Sequence, residues 1–140
     1  MTPWAIVDTG PLVAILNQRE HHHAWAIEWF RQISPPMLVC EPVLVEALFL
    51  LAHLPSAQDA LFRWLDKGVL DISFRLEDHH PSVWALFKKY RNVPMSLADG
   101  CLVRMAELHD RHAVFTLDSD FTIYRKHGRQ SIPLITPQGS

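Results

Sequence analysis

Hydrophobic positions along the chain fall into short continuous runs that alternate with longer stretches of near-helical spacing. The run Ala5-Ile6-Val7 stops at Asp8-Thr9-Gly10-Pro11, which predicts a buried strand over about 3–8. Pro11 suits the first turn of a helix, where its missing N–H is no loss, and Leu12, Val13, Ile15 and Leu16 continue that helix to about 17. After a polar turn at 17–23, Ala24, Trp25, Ile27, Trp29 and Phe30 predict a second helix to about 33. Ser34-Pro35-Pro36 ends it, and Met37-Leu38-Val39-Cys40 reads as a second strand. Pro42 opens a third helix, apolar on nearly every side and ending near 53. Ser56 is placed to cap a fourth over about 57–66.

Gly68 stops the fourth helix, and Val69-Leu70-Asp71-Ile72 is the third strand. A fifth helix runs from about 77 to 90, and Ser96 starts a sixth with Leu97, Cys101, Leu102, Met105 and Leu108 on its inner face. Ala113-Val114-Phe115 is the fourth strand, ended by Thr116-Leu117-Asp118-Ser119-Asp120. Ile132-Pro133-Leu134-Ile135 is an edge strand, where proline is tolerated. Strands alternating with helices predict an α/β fold with a mainly parallel sheet of four to five strands, in one domain over 1–140.

Composition adds exclusions. Hydrophobic residues make up 49% and charged residues 20%, a globular balance rather than a disordered one. The apolar run at 43–52 is interrupted by Glu46 and is too short to span a bilayer, and residues 1–20 lack the features of a signal peptide. Cys40 and Cys101 lie far apart in apolar segments and read as reduced core thiols, so a cytoplasmic protein is expected. Net charge is −2, which excludes a global electrostatic footprint for nucleic acid. A polyanion would have to be held by a local patch or a bound metal ion.

The acids give the chemistry. Asp8 at a strand's carboxyl end would stand in the ligand crevice of an open α/β sheet, or simply cap the next helix. Glu46 sits in Pro42-Val43-Leu44-Val45-Glu46-Ala47-Leu48-Phe49-Leu50-Leu51. There a helix buried on most faces leaves a carboxylate little water, and no Lys or Arg lies within a turn. Asp99 follows Ser96 by three, nearly a capping box. Asp118 and Asp120 follow strand four as Asp8 follows strand one, with an Asx turn as the plain alternative. Carboxylates gathered in one crevice repel each other and call for a cation, and hard oxygen donors suit Mg²⁺ or Mn²⁺. The His21-His22-His23 run has no ligand-spaced partners and reads as a solvated loop.

These residues resemble a PIN domain, and in particular the compact VapC-type toxin ribonucleases. Ile6-Val7-Asp8-Thr9-Gly10-Pro11-Leu12 resembles the family's first motif and Glu46 its second. Asn92-Val93-Pro94-Met95-Ser96-Leu97-Ala98-Asp99 resembles the third, and Phe115-Thr116-Leu117-Asp118-Ser119-Asp120-Phe121 the closing strand and turn. The resemblance implies an α/β/α sandwich and a metal-dependent endoribonuclease acting on RNA. It further implies a homodimer and an antitoxin protein as partner. Carried over by position, Asp8, Glu46, Asp99 and Asp118 form the acidic set, with Asp120 a further metal ligand and Thr9, Ser96 and Thr116 as supporting hydroxyls. Similar proteins differ over which acid of the 118–120 turn approaches the metal.

Local cations are expected to contact phosphates: Arg125, Lys126 and Arg129 after the Asp118 turn, and Lys88, Lys89 and Arg91 before Asp99. A haloacid-dehalogenase-like enzyme would want an Asp where Gly10 stands, and a receiver domain a Lys where the chain has Ile132-Pro133. The remaining alternative is a PIN-like binding module without cleavage.

Overall fold

The structure, a computed structural model, describes residues 2–137; Met1 and residues 138–140 of the expected 1–140 domain lie outside them. β1 (Trp4–Val7) leads directly into α1 (Thr9–Leu16), and α2 (His23–Gln32) turns back to β2 (Met37–Leu38). α3 (Glu41–Leu50) and α4 (Pro55–Asp66) precede β3 (Leu70–Asp71). α5 (Leu76–Lys89) and α6 (Leu97–Leu108) precede β4 (His112–Phe115). A 3₁₀ turn at Ser119–Thr122 follows, then β5 (Arg125–Lys126), β6 (Gln130–Ser131) and β7 (Leu134–Ile135).

Five strands form one parallel sheet in the order β3-β2-β1-β4-β7, with helices flanking it in an α/β/α sandwich. The chain winds outward from β1 toward β3 on one side, then returns to lay β4 on the other. The boundary between β1 and β4 is therefore the switch point, where the carboxyl ends of the strands open a crevice. Register places Val7 beside Phe115, so Asp8 and Thr116 emerge together at the top of the two central strands. The amide of Asp8 donates to Phe115 O at 2.9 Å, and the amide of Thr116 to Ile135 O at 3.0 Å, extending the ladder to the site.

Burial explains why these strands lie at the centre. Ala5, Ile6, Val7, Val114 and Phe115 are fully buried, as expected of parallel strands covered on both faces. α1 packs against α2, α3 and α4, and α6 packs against α5 and α3. His23, expected in a solvated loop, starts α2, and its Nδ1–H donates to Ala14 O at 2.6 Å. Ser56 does not cap α4: the helix starts one residue earlier at Pro55, with Leu54 in the cap position and no side-chain acceptor. Cys40 and Cys101, distant in sequence, are free and buried, and the neighbouring Cys101 thiol together with burial pushes the Cys40 thiol up.

α3 corrects the sequence reading. It buries Val43, Leu44 and Ala47, but Val45 is 70% and Phe49 78% exposed, and Glu46 lies on the same open face. The apolar run made every face look buried, whereas only one face meets the core. Glu46 is thus not a charge trapped in a core. No described helix is long and apolar enough to cross a membrane.

α6 and α5 approach closely at Gly100, where an added Cβ would stand 3.0 Å from side-chain atoms of both Phe87 and Val83. Gly100→Val is therefore expected to destabilise the protein by about 1–3 kcal/mol through overpacking, read as a lower urea midpoint at an unchanged slope. An unchanged midpoint would mean that α5 shifts freely away from α6.

Candidate active site

Three of the predicted acids are helix caps, and their capping bonds explain where they point. Asp8 ends β1 in extended conformation and caps α1, its Oδ1 accepting from the Thr9 amide at 2.7 Å. Ser96 and Asp99 make a full capping box at the start of α6. The Asp99 amide donates to Ser96 Oγ at 3.0 Å, and the Ser96 amide donates back to Asp99 Oδ2 at 3.2 Å. Asp118 caps the 3₁₀ turn, its Oδ1 accepting from the Asp120 amide at 2.9 Å. The capping alternatives are thus real, and they do not remove these acids from the crevice. All three line one pocket of about 420 Å³, together with Glu46, Asp120, Thr9, Ser96 and Pro94.

The pocket is held together from below by Thr116, which is fully buried. Its Oγ1–H donates to Asp8 Oδ2 at 2.8 Å, and the same oxygen accepts from the Asp118 amide at 2.9 Å. One hydroxyl therefore fixes the acid of β1 against the turn after β4. Tyr124 plays a comparable part for Asp99: its buried hydroxyl donates to Asp99 Oδ2 at 3.2 Å. Its ring meets Tyr90 edge-on at 5.1 Å, and the Tyr90 hydroxyl accepts from the Arg125 amide at 2.8 Å. Tyr124 did not stand out in the sequence, because it follows a polar turn and belongs to no periodic segment. Two tyrosines in the whole chain, one of them four residues after the last acid, were the available signal.

Electrostatics show the cost of this gathering. Burial pushes Asp8 from 3.8 up to about 6. The hydrogen bonds from Thr116 and Thr9 pull it back, and the charges of Asp99 and Asp118 push it further up. Asp99 is also raised, first by burial and, against the pull of its cap, by Asp118. Tyr124 is pushed well above the usual phenol range by burial and by the neighbouring Asp99. Among the described residues no Lys or Arg forms an ion pair with any acid of this pocket.

A divalent cation fits this donor set. The acids supply hard oxygens, and Thr9 Oγ1 is buried at the pocket wall without a hydrogen-bond partner, the sole such side-chain atom among the described residues. As the side chains stand, no three His, Cys, Asp or Glu residues among those described close on one point as a ready metal cage. Bare carboxylates repel, and their caps hold them at the rim.

Two of the three cations expected near the Asp118 turn have structural duties. Arg125 donates from one guanidinium nitrogen to the carbonyls of Thr122, Ile123 and Tyr124. Lys126 is buried and pairs with Asp110 at 3.7 Å. Arg129 is exposed. Beside the acids, Val45, Phe49, Phe74 and Leu97 wall a larger apolar groove of about 890 Å³, which shares Glu46, Ser96 and Ala98 with the pocket.

Residues 5–126 match the model of the PIN domain family. Among solved structures the chain is similar to VapC20 of Mycobacterium tuberculosis, described as a toxin that cleaves the sarcin-ricin loop. That likeness has a TM-score of 0.71 at 17% identity, covering 85% of this chain and 93% of the other. No curated protein matches the sequence.

Because Asp8 keeps its proton to about pH 6 when folded and releases it near 4 when unfolded, the folded state binds the extra proton between those values. Without divalent cations, stability should therefore fall as pH rises from about 4 to about 6 and then level off. The Asp8 contribution is on the order of 3 kcal/mol. Denaturant melts across that range, in chelator, should show a much smaller fall for Asp8→Asn. Equal falls in both proteins would contradict a buried, raised Asp8.

Proposed function

The chain belongs to the PIN domain family, and from that premise we propose that it is a metal-dependent endoribonuclease, the toxin of a toxin–antitoxin pair. The observation that carries this reading is the meeting of Asp8, Glu46, Asp99, Asp118 and Asp120, from four separate stretches of the chain, at one pocket lined by no Lys or Arg. The VapC20 likeness supports the toxin class. A purely binding module would gain nothing from carboxylates held together at this electrostatic cost.

Asp8, Glu46, Asp99 and Asp118 would hold Mg²⁺ or Mn²⁺, with Asp120 as a further oxygen donor. A bound divalent ion supplies charge against the scissile phosphate and lowers the pKa of a coordinated water. The chain's own residues supply position. Thr116 favours the ionised form of Asp8 against the effect of burial and orients it, Tyr124 and the Ser96 cap orient Asp99, and the 3₁₀ turn orients Asp118. Hydrogen bonds to such acids preset their geometry before any ligand arrives. Glu46 enters from the open face of α3 and keeps the reach to meet a ligand held by the other three.

The reading extends to partners. RNA is the substrate, the protein acts in the cytoplasm as a homodimer, and an antitoxin restrains it. The apolar groove beside the pocket gives such an inhibitor surface to cover next to the acids.

Purified protein incubated with a mixed RNA pool should cut it internally in Mg²⁺ or Mn²⁺ and not in EDTA. Asp99→Asn, which keeps a similar shape, should abolish cutting while leaving the circular dichroism spectrum unchanged; metal-independent cutting, or an active variant, would sink the proposal. Separately, Mn²⁺ at a hundred times its dissociation constant should stabilise the protein by about 2.7 kcal/mol. Asp8→Asn should blunt that response. A melting temperature indifferent to millimolar Mn²⁺ would count against a metal site.

A further inference from the structure

The outer face of α5 carries an arrangement that neither the fold nor the acid pocket requires. Trp84 is 53% exposed; Lys88 follows it by one helical turn, and the exposed Arg91 stands just past the end of α5. Lys88 Nζ stands 5.7 Å and the Arg91 guanidinium 5.5 Å from the centre of the Trp84 ring. The helix macrodipole accounts for basic residues in the last turn of α5. It does not account for a large indole left in water among them.

Two stretches of the chain at this face carry no acid, although Glu107 and Asp110 from elsewhere bind the hairpin at His127 and Lys126. No Asp or Glu occurs between Asp78 and Asp99, and none after Asp120. The structure joins these two acid-free stretches: Lys89 Nζ donates to Gly128 O at 2.6 Å, laying the turn of the β5–β6 hairpin against the end of α5. His127 and Gly128 both take positive φ there, which makes the turn tight, and the exposed Arg129 follows it. Among the described residues Lys88, Arg91 and Arg129 are in no ion pair, unlike Arg75, Arg104 and Lys126. The track also leads to the pocket. Arg91 is three residues before Pro94, which lines the acid pocket, so their Cα atoms are at most about 11 Å apart.

We propose that Trp84, Lys88 and Arg91, extended by Arg129, form a binding track for single-stranded RNA, in which Trp84 stacks a base and the cations pair with phosphates. The choice of RNA rests on the ribonuclease reading; the chemistry of the track rests on this face alone. Every base offers a π-face to an indole, and a net charge of −2 makes local cations the route to a polyanion. The cations that lie over the ring in the free protein become phosphate partners when a base takes their place. A protein partner would favour contiguous apolar surface, which this molecule shows on α3 instead, at Val45, Phe49 and Leu50.

The test measures binding of a short, fluorescently labelled, unstructured RNA to the full chain in EDTA, by anisotropy at several salt concentrations. Trp84→Ala should weaken binding roughly tenfold or more, and Trp84→Phe should restore most of it. Changing Lys88 and Arg91 together to Ala should flatten the slope of log K against log[salt] by about 1.4. The same RNA annealed to its complement should respond little to Trp84→Ala, because its bases are already stacked. Wild-type affinity and slope in these variants would overturn the track, as would an equal loss for duplex. A change in size-exclusion elution of Trp84→Ala with RNA binding intact would assign the face to a protein contact and overturn it too. Metal-dependent cutting by the wild type is scored in parallel. Its absence alongside Trp84-dependent binding would remove the nuclease reading and leave the track, and its presence with unaffected variants would do the reverse.

Discussion

A single buried hydroxyl, that of Thr116, ties the acid that ends the first strand to the turn that follows the fourth. It donates to Asp8 and accepts from the Asp118 amide, at the place where β1 and β4 run side by side. An orphaned buried acceptor or donor costs about 1–3 kcal/mol, so each of these groups needs the other two in place. The register of the two central strands, the start of α1 and the start of the 3₁₀ turn are set by the same small group of bonds. The site is therefore a direct product of the sheet's central pairing rather than a decoration on its loops.

Capping resolves an apparent conflict between folding and chemistry. Carboxylates crowded into a pocket should destabilise it, and the rise of Asp8 to about 6 shows that desolvation wins there. Yet Asp8, Asp99 and Asp118 each accept from backbone amides at a helix start, where the macrodipole favours a negative charge. Each cap is worth about 1 kcal/mol, which offsets part of the repulsion without removing it. The caps hold the acids in place while leaving them electrostatically unsatisfied.

Much of this was legible in the sequence because local rules and fold agree there. Asp8-Thr9-Gly10-Pro11 marks a strand end and a helix start at once, and Ser96 to Asp99 announces its cap by spacing. Other features were hidden for identifiable reasons. α3 is apolar on all sides, so periodicity could not say which face meets the core, and its open side took Val45 and Phe49 with it. The β5–β6 hairpin has two-residue strands made of Arg125, Lys126, Gln130 and Ser131, too short and too polar to carry a period. Lys126 is buried through an ion pair with Asp110, and Arg125 faces inward to three carbonyls, so a cluster of positive letters became structure rather than surface. Tyr124 reaches Asp99 across the fold, a contact that no spacing along the chain reveals.

The parallel pairing of β1 with β4 has a consequence for the order of events during synthesis. A chain made from its amino end carries Asp8 early, but β1 gains its inner neighbour only once residues 112–115 have been added. Every pairing in the main sheet is parallel and bridged by a crossover, so none of its ladders closes as a local hairpin. Until β4 docks, Thr116 is absent from beneath Asp8, and Asp118 and Asp120 are absent from the pocket that Asp8, Glu46 and Asp99 line. A nascent or partly degraded chain ending before that strand would thus hold the first three acids and no assembled site. Completion of the sheet thus brings the last wall of the acid pocket into place, all at once and late.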